Sequence, residues 1–348
     1  MELSNILEGI KPLNQAVADQ CLTRVDSLIK PKGSLGKLED IVVKLAGIQG
    51  KLHPVIKDKA VIVCAGDHKI IEEGVATSNK DITKIQVINM TRGLTGVCAL
   101  AKHAGARVVV ADIGIDDEVN HSKVLNKKVK YGADNFSKGP AMTRKEAERA
   151  LLAGFDIARE AIESGVNLLA TGEMGIGNTS PSSAIVSVMT GRPPQEVTGM
   201  GANLPLDRVK HKAAVIKRGI DLNKPNPEDA LDVLSKVGGL EIGGMAGVML
   251  AGAYYQVPVV VDGFICTAAA LIATGLNPGV KDYLFGSHNS MEPGARIASE
   301  KLDLDTYLDM NMRLGEGSGA VLMFSMIEAA LSMNDEMITF EEAGFIVD

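Results

Sequence analysis

Two glycine-rich segments, far apart in the chain, each carry one glutamate. The first reads Thr171-Gly172-Glu173-Met174-Gly175-Ile176-Gly177-Asn178-Thr179-Ser180 and lies between the apolar run 166–170 and a helix signal at Pro181. The second reads Arg313-Leu314-Gly315-Glu316-Gly317-Ser318-Gly319 and precedes the apolar run 320–331. A glycine-rich turn that opens a helix can close its backbone N–H groups around an anion. Two such turns, each with a carboxylate, predict a phosphate held beside an acid that does chemistry. No Gly-Lys-Ser/Thr follows the glycines of the first turn, so it is not a P-loop. The plainer alternatives are a tight strand-to-helix connection for the first segment and a solvated loop glutamate for the second.

Other residues carry weaker signals. Asp67-His68 follows an apolar run and fits either a general acid–base pair or a hydrogen-bonded strand end. Lys212 lies on an amphipathic pattern whose default is a solvated lysine. Gly238-Gly239-Leu240-Glu241-Ile242-Gly243-Gly244-Met245 reads as close helix packing around a buried acid, with Glu241 holding a backbone turn. Gly286-Ser287-His288-Asn289-Ser290-Met291-Glu292-Pro293-Gly294 offers hydroxyls and amides before a helix opened by Pro293, a second wall for an anion site. The six histidines form no metal-ligand spacing. The four cysteines form no CxxC and no close pair, which predicts buried thiols in a reducing compartment, the cytoplasm.

The elements that must position these residues follow from hydropathy. Near-continuous apolar runs at 60–65, 107–113, 167–170 and 258–261, and a weaker one at 282–285, predict strands covered on both faces. Helical patterns lie at 80–104, 144–164, 181–190, 207–222 and 240–256. The alternation predicts an α/β fold with a doubly wound, mainly parallel sheet, and the candidate motifs converge on the carboxyl edge of its strands. Segments 1–50 and 293–348 read as helices, so a small helical lobe built from both chain ends is expected beside a large domain over 51–292. The apolar stretch 245–273 contains Pro258, Asp262 and Gly263, which fits helix, buried strand and helix better than a membrane span. Net charge is −7 and aromatics make up 3% of the 348 residues. Both weigh against nucleic-acid partners and anionic membranes. The N-terminus has no basic-then-apolar signal pattern.

TGEMGIGNTS, GGLEIGGMAG, VVVDGFI, GSHNSMEPG and RLGEGSGA stand in this order, with PKGSLGKLE and AGDH ahead of them. Over residues 25–335 the chain resembles the nicotinate-nucleotide:dimethylbenzimidazole phosphoribosyltransferase family. The resemblance implies a Rossmann-like sheet with a small lobe from both ends. It implies transfer of the phosphoribosyl group of nicotinate mononucleotide to an aromatic acceptor, giving an α-ribotide that becomes the lower ligand of a cobamide. It implies no cofactor and no metal, and a dimer with the acceptor site near the subunit interface. By position, Glu316 matches the catalytic base and Glu173 the acid beside the ribose. Gly175, Thr179, Lys212, Ser290 and Gly315 fall where the family holds the phosphoribosyl group, and Gly177, Asn178 and Arg313 extend that set.

Departures from the family pattern gather at the acceptor end. The pocket serine becomes Ala76, and the pocket glutamine becomes Ile85 unless Gln86 replaces it through a one-residue shift. GRGTG becomes Gly199-Met200-Gly201-Ala202-Asn203, and a polar residue after EPG becomes Ala295. The expected acceptor pocket, with Ala76, Ile85, Gln86, Met174 and Leu314, is therefore more apolar than the family norm. That favours phenol or p-cresol as acceptor beside dimethylbenzimidazole. The related branch works as a pair of unequal subunits, so a homodimer and a heterodimer with a paralogue both stand as expectations. A third reading is a non-catalytic paralogue that stabilises an active partner.

Overall fold

The apolar run Ala60-Val61-Ile62-Val63-Cys64-Ala65 is buried along its whole length and forms the centre of the sheet. The computed structural model describes residues 1–345. Six strands form: β1 (Lys59–Gly66), β2 (Arg107–Gly114), β3 (Val124–Asn126), β4 (Leu168–Met174), β5 (Val259–Val261) and β6 (Leu284–Gly286). Their order is β3-β2-β1-β4-β5-β6, and every neighbouring pair is parallel. The expected α/β fold with a parallel sheet is thus present. The order reverses between β1 and β4, and a crevice for ligands opens beyond the carboxyl ends at such a point.

The strand after 166 runs further than the apolar residues predict. Thr171, Gly172 and Glu173 continue β4 in register with Ile62, Val63 and Cys64 of β1. The glycine turn therefore begins at Gly175, and the next helix at Thr179 rather than Pro181. Strand β3 was not expected, because three residues with a polar end carry too little apolar periodicity to be seen. The short helix Ala230–Val237 was also not expected.

The pattern over 80–104 divides into helices Asp81–Thr91 and Gly96–His103. Gly93, at φ 78°, ends the first, and extended Thr95 opens the second. The stretch 245–273 resolves as helix Leu240–Tyr255, strand β5 and helix Phe264–Leu276. Among the described residues no helix is long and apolar enough to cross a membrane. Helix Lys37–Gln49 packs against helix Ser318–Glu336, and Leu28 bridges antiparallel to Thr339, so segments of the two ends touch. Helix Pro293–Leu302 packs instead on helix Phe264–Leu276 and helix Thr179–Thr190.

Helix Arg144–Glu163 lies along helix Leu240–Tyr255 and starts with a capping box between Thr143 and Glu146. Phe155 is buried in that seam, edge-on to Tyr254 with ring centroids 5.7 Å apart. Phe155→Ala is expected to destabilise the protein by about 3–5 kcal/mol, the usual cost of truncating a buried aromatic. Denaturant unfolding checks this; a loss below about 1 kcal/mol would mean that the seam closes around the gap.

Candidate active site

Glu173, the next-to-last residue of β4, is buried at the switch point. Its Oε1 accepts from the backbone N–H of Glu316 at 3.2 Å, and its Oε2 accepts from the Asn178 side-chain amide. Burial pushes the Glu173 carboxyl up to about 7. The two hydrogen bonds work against that rise, and the nearby Asp262 and Glu241 carboxylates add to it.

Glu316 is also buried, in a turn of unusual shape. Gly315, Glu316 and Gly317 all have positive φ, at 84°, 63° and 95°. A non-glycine residue held there stores roughly 1–3 kcal/mol of strain, of the kind that collects at functional sites. Glu316 Oε2 accepts from the N–H of Val97, at the start of helix Gly96–His103, at 3.1 Å. Its Oε1 meets only Gln86 Nε2 among the described residues, at a long 3.4 Å. Asp262 follows β5 and accepts from Gly317 N–H at 3.1 Å, Gly319 N–H at 2.8 Å and Ala320 N–H at 3.0 Å. It thereby caps helix Ser318–Glu336. Burial raises its carboxyl, against the pull of His288 and of these N–H groups.

Lys212 overturns its default as a solvated lysine. It shares one face of helix Leu206–Asn223 with buried Ile216 and Gly219 and is itself buried. Its Nζ donates to Thr179 Oγ1 at 2.7 Å and to Gly199 O at 3.3 Å. Burial lowers its ammonium to about 8, with the Glu292 carboxylate opposing the fall.

A cleft of about 210 Å³ joins these groups. Glu173, Glu316, Met174, Gly175, Asn178, Thr179, Ser290, Arg313, Leu314, Gly315 and Gln86 line it, and Lys212 reaches it through Thr179. Gly177 and Ala76 line a neighbouring recess of about 50 Å³. Ile85 lines neither; it is 54% exposed on the outer side of its helix. Of the two, Gln86 stands at Glu316 and Ile85 faces away from the cleft. Arg313 donates to Asn203 Oδ1 at 2.8 Å. His68 and Asp67 do not line the cleft. His68 pairs with Glu241 at 2.8 Å, and Asp67 accepts from Asp116 N–H at 2.9 Å, so they do not work as a couple. Two contributors escaped the sequence: the Val97 amide and the Glu292 carboxylate, which accepts from Gly201 N–H at 2.8 Å. Pro293 at the first turn of its helix marks Glu292 as an N-cap position, the one signal available. Among the described residues no cluster of three or more His, Cys, Asp or Glu is placed to hold a metal ion.

A family model described as a phosphoribosyltransferase matches residues 10–345. The nicotinate-nucleotide–dimethylbenzimidazole phosphoribosyltransferase of Alkaliphilus metalliredigens is 51% identical, over 99% of both chains. This chain belongs to that phosphoribosyltransferase family. The family enzyme of Clostridium acetobutylicum is 46% identical, over 99% of this chain and 97% of its own. The crystal structure of CobT from Thermus thermophilus superposes with a TM-score of 0.92 at 40% identity, covering 96% of this chain and 100% of that one. The chain is thus an enzyme of the phosphoribosyltransferase type with the fold of its structural relatives.

The raised Glu173 carboxyl has a consequence for stability. A carboxyl that holds its proton more tightly when folded makes the native state lose stability as pH rises from about 4.5 to about 7. Glu173→Gln removes that loss. The variant is expected to gain on the wild type by up to about 3 kcal/mol across this window and to hold the gain above it. Urea unfolding from pH 4 to pH 8 measures the difference; a flat difference would mean that Glu173 ionises as it does in water.

Proposed function

We propose that this enzyme transfers the phosphoribosyl group of nicotinate mononucleotide to a benzimidazole-type base, forming an α-ribotide for the nucleotide loop of a cobamide. The observation that carries the reading is the setting of Glu316. One oxygen is fixed by Val97 N–H, and the other has only the long Gln86 contact among the described residues, within a cleft that Thr179, bonded to Lys212, also lines. The names of the relatives supply the substrates.

In this reading the donor phosphate lies against Lys212, Thr179, Ser290 and the amides of the 175–178 turn. Its ribose lies between Glu173 and Glu316. The pyridine nitrogen of the donor carries positive charge in the glycoside, so the C1′–N bond breaks with its electron pair passing to that nitrogen and nicotinate leaves. The lone-pair nitrogen of the acceptor attacks C1′ from the opposite face, which inverts β to α. The N–H proton of the acceptor passes to Glu316, a general-base role worth roughly 10²–10⁴ in rate. Glu173, in its ionised form, stabilises positive charge building on the ribose. Binding both partners in one cleft supplies the orientation.

Gln86 favours the azole over a phenol. The loss of a pocket glutamine argued for phenol or p-cresol, and the glutamine is at the site. Ala76 and Ile85, which carried the rest of that argument, lie outside the main cleft. We also propose a dimer, supported by Leu314 at the cleft rim, which is 60% exposed. The division into a body over 51–292 and a lobe from 1–50 and 293–348 is likewise a proposal, supported by the contact between helices Lys37–Gln49 and Ser318–Glu336. Residues 346–348 of that lobe lie outside the described residues.

Glu316→Gln is expected to lower turnover at least about a hundredfold while nicotinate mononucleotide binds as before, since a base acts mainly in the transition state. Nicotinate release and donor titration measure the two quantities. A rate above about a tenth of wild type would remove Glu316 from the role of base. In a competition of dimethylbenzimidazole with p-cresol, the azole product is expected to dominate; a dominant phenolic product would restore the alternative acceptor.

A further inference from the structure

The segment 198–204 roofs the end of the cleft that holds Lys212, and side chains from four other parts of the chain fasten it. Lys212 donates to Gly199 O at 3.3 Å, Thr77 Oγ1 to Ala202 O at 3.2 Å, and Arg313 to Asn203 Oδ1 at 2.8 Å. Glu292 accepts from Gly201 N–H at 2.8 Å. The Thr77 and Arg313 bonds are exposed and compete with water. The Glu292 bond is not exposed in this way: Glu292 is 9% accessible and lines the cleft.

The fit around Glu292 is close. Its Oε2 has no hydrogen-bond partner among the described residues, and a Cβ on Gly199 would stand 2.1 Å from that oxygen. The loop backbone therefore presses directly on the carboxylate. On the other side, Gly201 lies against the couple that faces the substrate. A Cβ there would be 2.8 Å from Thr179 Oγ1 and 3.5 Å from Lys212 Nζ. Pro293 starts a helix immediately after Glu292, so the carboxylate stands on a rigid base. A buried carboxylate with one oxygen unpaired is costly. Among the described residues no lysine or arginine hydrogen-bonds to it, and its one bond goes to a loop amide. Holding that loop accounts for the placement.

We propose that Glu292 is a positioning residue that latches the 198–204 loop against Thr179 and Lys212, and so sets the affinity for a phosphate-bearing substrate. The proposal rests on the reading that the donor phosphate lies at Lys212. Glu292 touches no reacting atom; it acts through the backbone of Gly201.

The experiment compares wild type, Glu292→Ala, Glu292→Gln and Glu292→Asp in the full-length enzyme. Two ligands are titrated by calorimetry: nicotinate mononucleotide, and nicotinate riboside, which lacks the phosphate. Hydrogen exchange of the peptide covering 198–204 is followed without ligand. Loss of a charge-assisted hydrogen bond predicts about a tenfold or greater weakening of the mononucleotide by Glu292→Ala, with less than about a twofold change for the riboside. Exchange in 198–204 is expected to speed up. Glu292→Gln keeps an oxygen that accepts from Gly201 N–H, so it is expected to stay within about threefold of wild type. Glu292→Asp keeps the charge but falls short of Gly201, so it is expected to behave as Glu292→Ala does and decides the matter if the alanine variant does not fold. Equal weakening of both ligands, unchanged exchange, or a glutamine variant as impaired as the alanine one would overturn the latch. Lys212→Ala is the control for the phosphate reading. If it leaves mononucleotide affinity unchanged, that reading fails, and the exchange data still decide whether Glu292 holds the loop.

Discussion

Three carboxylates, Glu173, Asp262 and Glu316, are buried together at the carboxyl edge of the sheet, and among the described residues no lysine or arginine bonds to any of them. Burying such groups without donors would cost several kcal/mol each. Apart from the Asn178 and Gln86 side-chain amides, the donors are peptide N–H groups at two helix starts. Asp262 takes three from the start of helix Ser318–Glu336, and Glu316 takes one from helix Gly96–His103. Glu173 takes the N–H of Glu316 itself. Helix starts have free N–H groups and a positive dipole end, so they suit this task. Much of the local architecture follows. The helix over 80–104 must break to present Val97. The turn 315–317 must take three left-handed residues so that one peptide faces Glu173 while the Glu316 side chain turns to Val97.

The site has two kinds of charge. Glu173, Asp262 and Glu316 gather on one side, and a buried ammonium, with the Glu292 carboxylate near it, makes its hydrogen bonds to a hydroxyl and a carbonyl. Nicotinate mononucleotide has a matching division, with an anionic phosphate at one end of the ribose and a cationic glycosidic nitrogen at the other. Among the described residues no carboxylate hydrogen-bonds to Lys212, and only Glu292 acts on its charge, so its ammonium can still meet an anion. Lys212 does not neutralise the three acids, so they stay free for a cationic centre and for a proton. Burial weakens the charged forms of Glu173 and Lys212, raising the first to about 7 and lowering the second to about 8. A donor that brings opposite charge to each restores both.

Much of this was legible in the sequence, for physical reasons. Strands β1 and β4, and β2 from Val110 onward, are buried on both faces and so read as apolar runs. The two glycine turns stood out because each sets a carboxylate among residues that let the backbone approach a ligand. Other features were hidden. β3 is three residues long. The functional end of β4 reads as turn, because Thr171-Gly172-Glu173 carries polar and small residues in a strand held by its neighbours. Lys212 was masked by its charge, although its spacing to Ile216 and Gly219 places it on the buried face. Glu292 stands inside GSHNSMEPG, but the motif does not single it out, since its partner is a backbone amide 91 residues away.

The acceptor end shows how a single residue of register decides chemistry. In helix Asp81–Thr91, Thr83, Val87 and Met90 are buried, and they fix the rotation of the helix. Thr83 Oγ1 also accepts from Ile176 N–H at 3.1 Å, which ties that face to the glycine turn. Adjacent helical residues are about 100° apart. With Thr83 and Val87 inward, Gln86 reaches Glu316 and Ile85 points to solvent. Matching letters by position alone places Ile85 in the pocket and makes it apolar. Matching by buried face places an amide there, beside Glu316. Helical phase, set by the buried Thr83, Val87 and Met90, thereby determines whether Glu316 meets a hydrocarbon or a hydrogen-bonding partner.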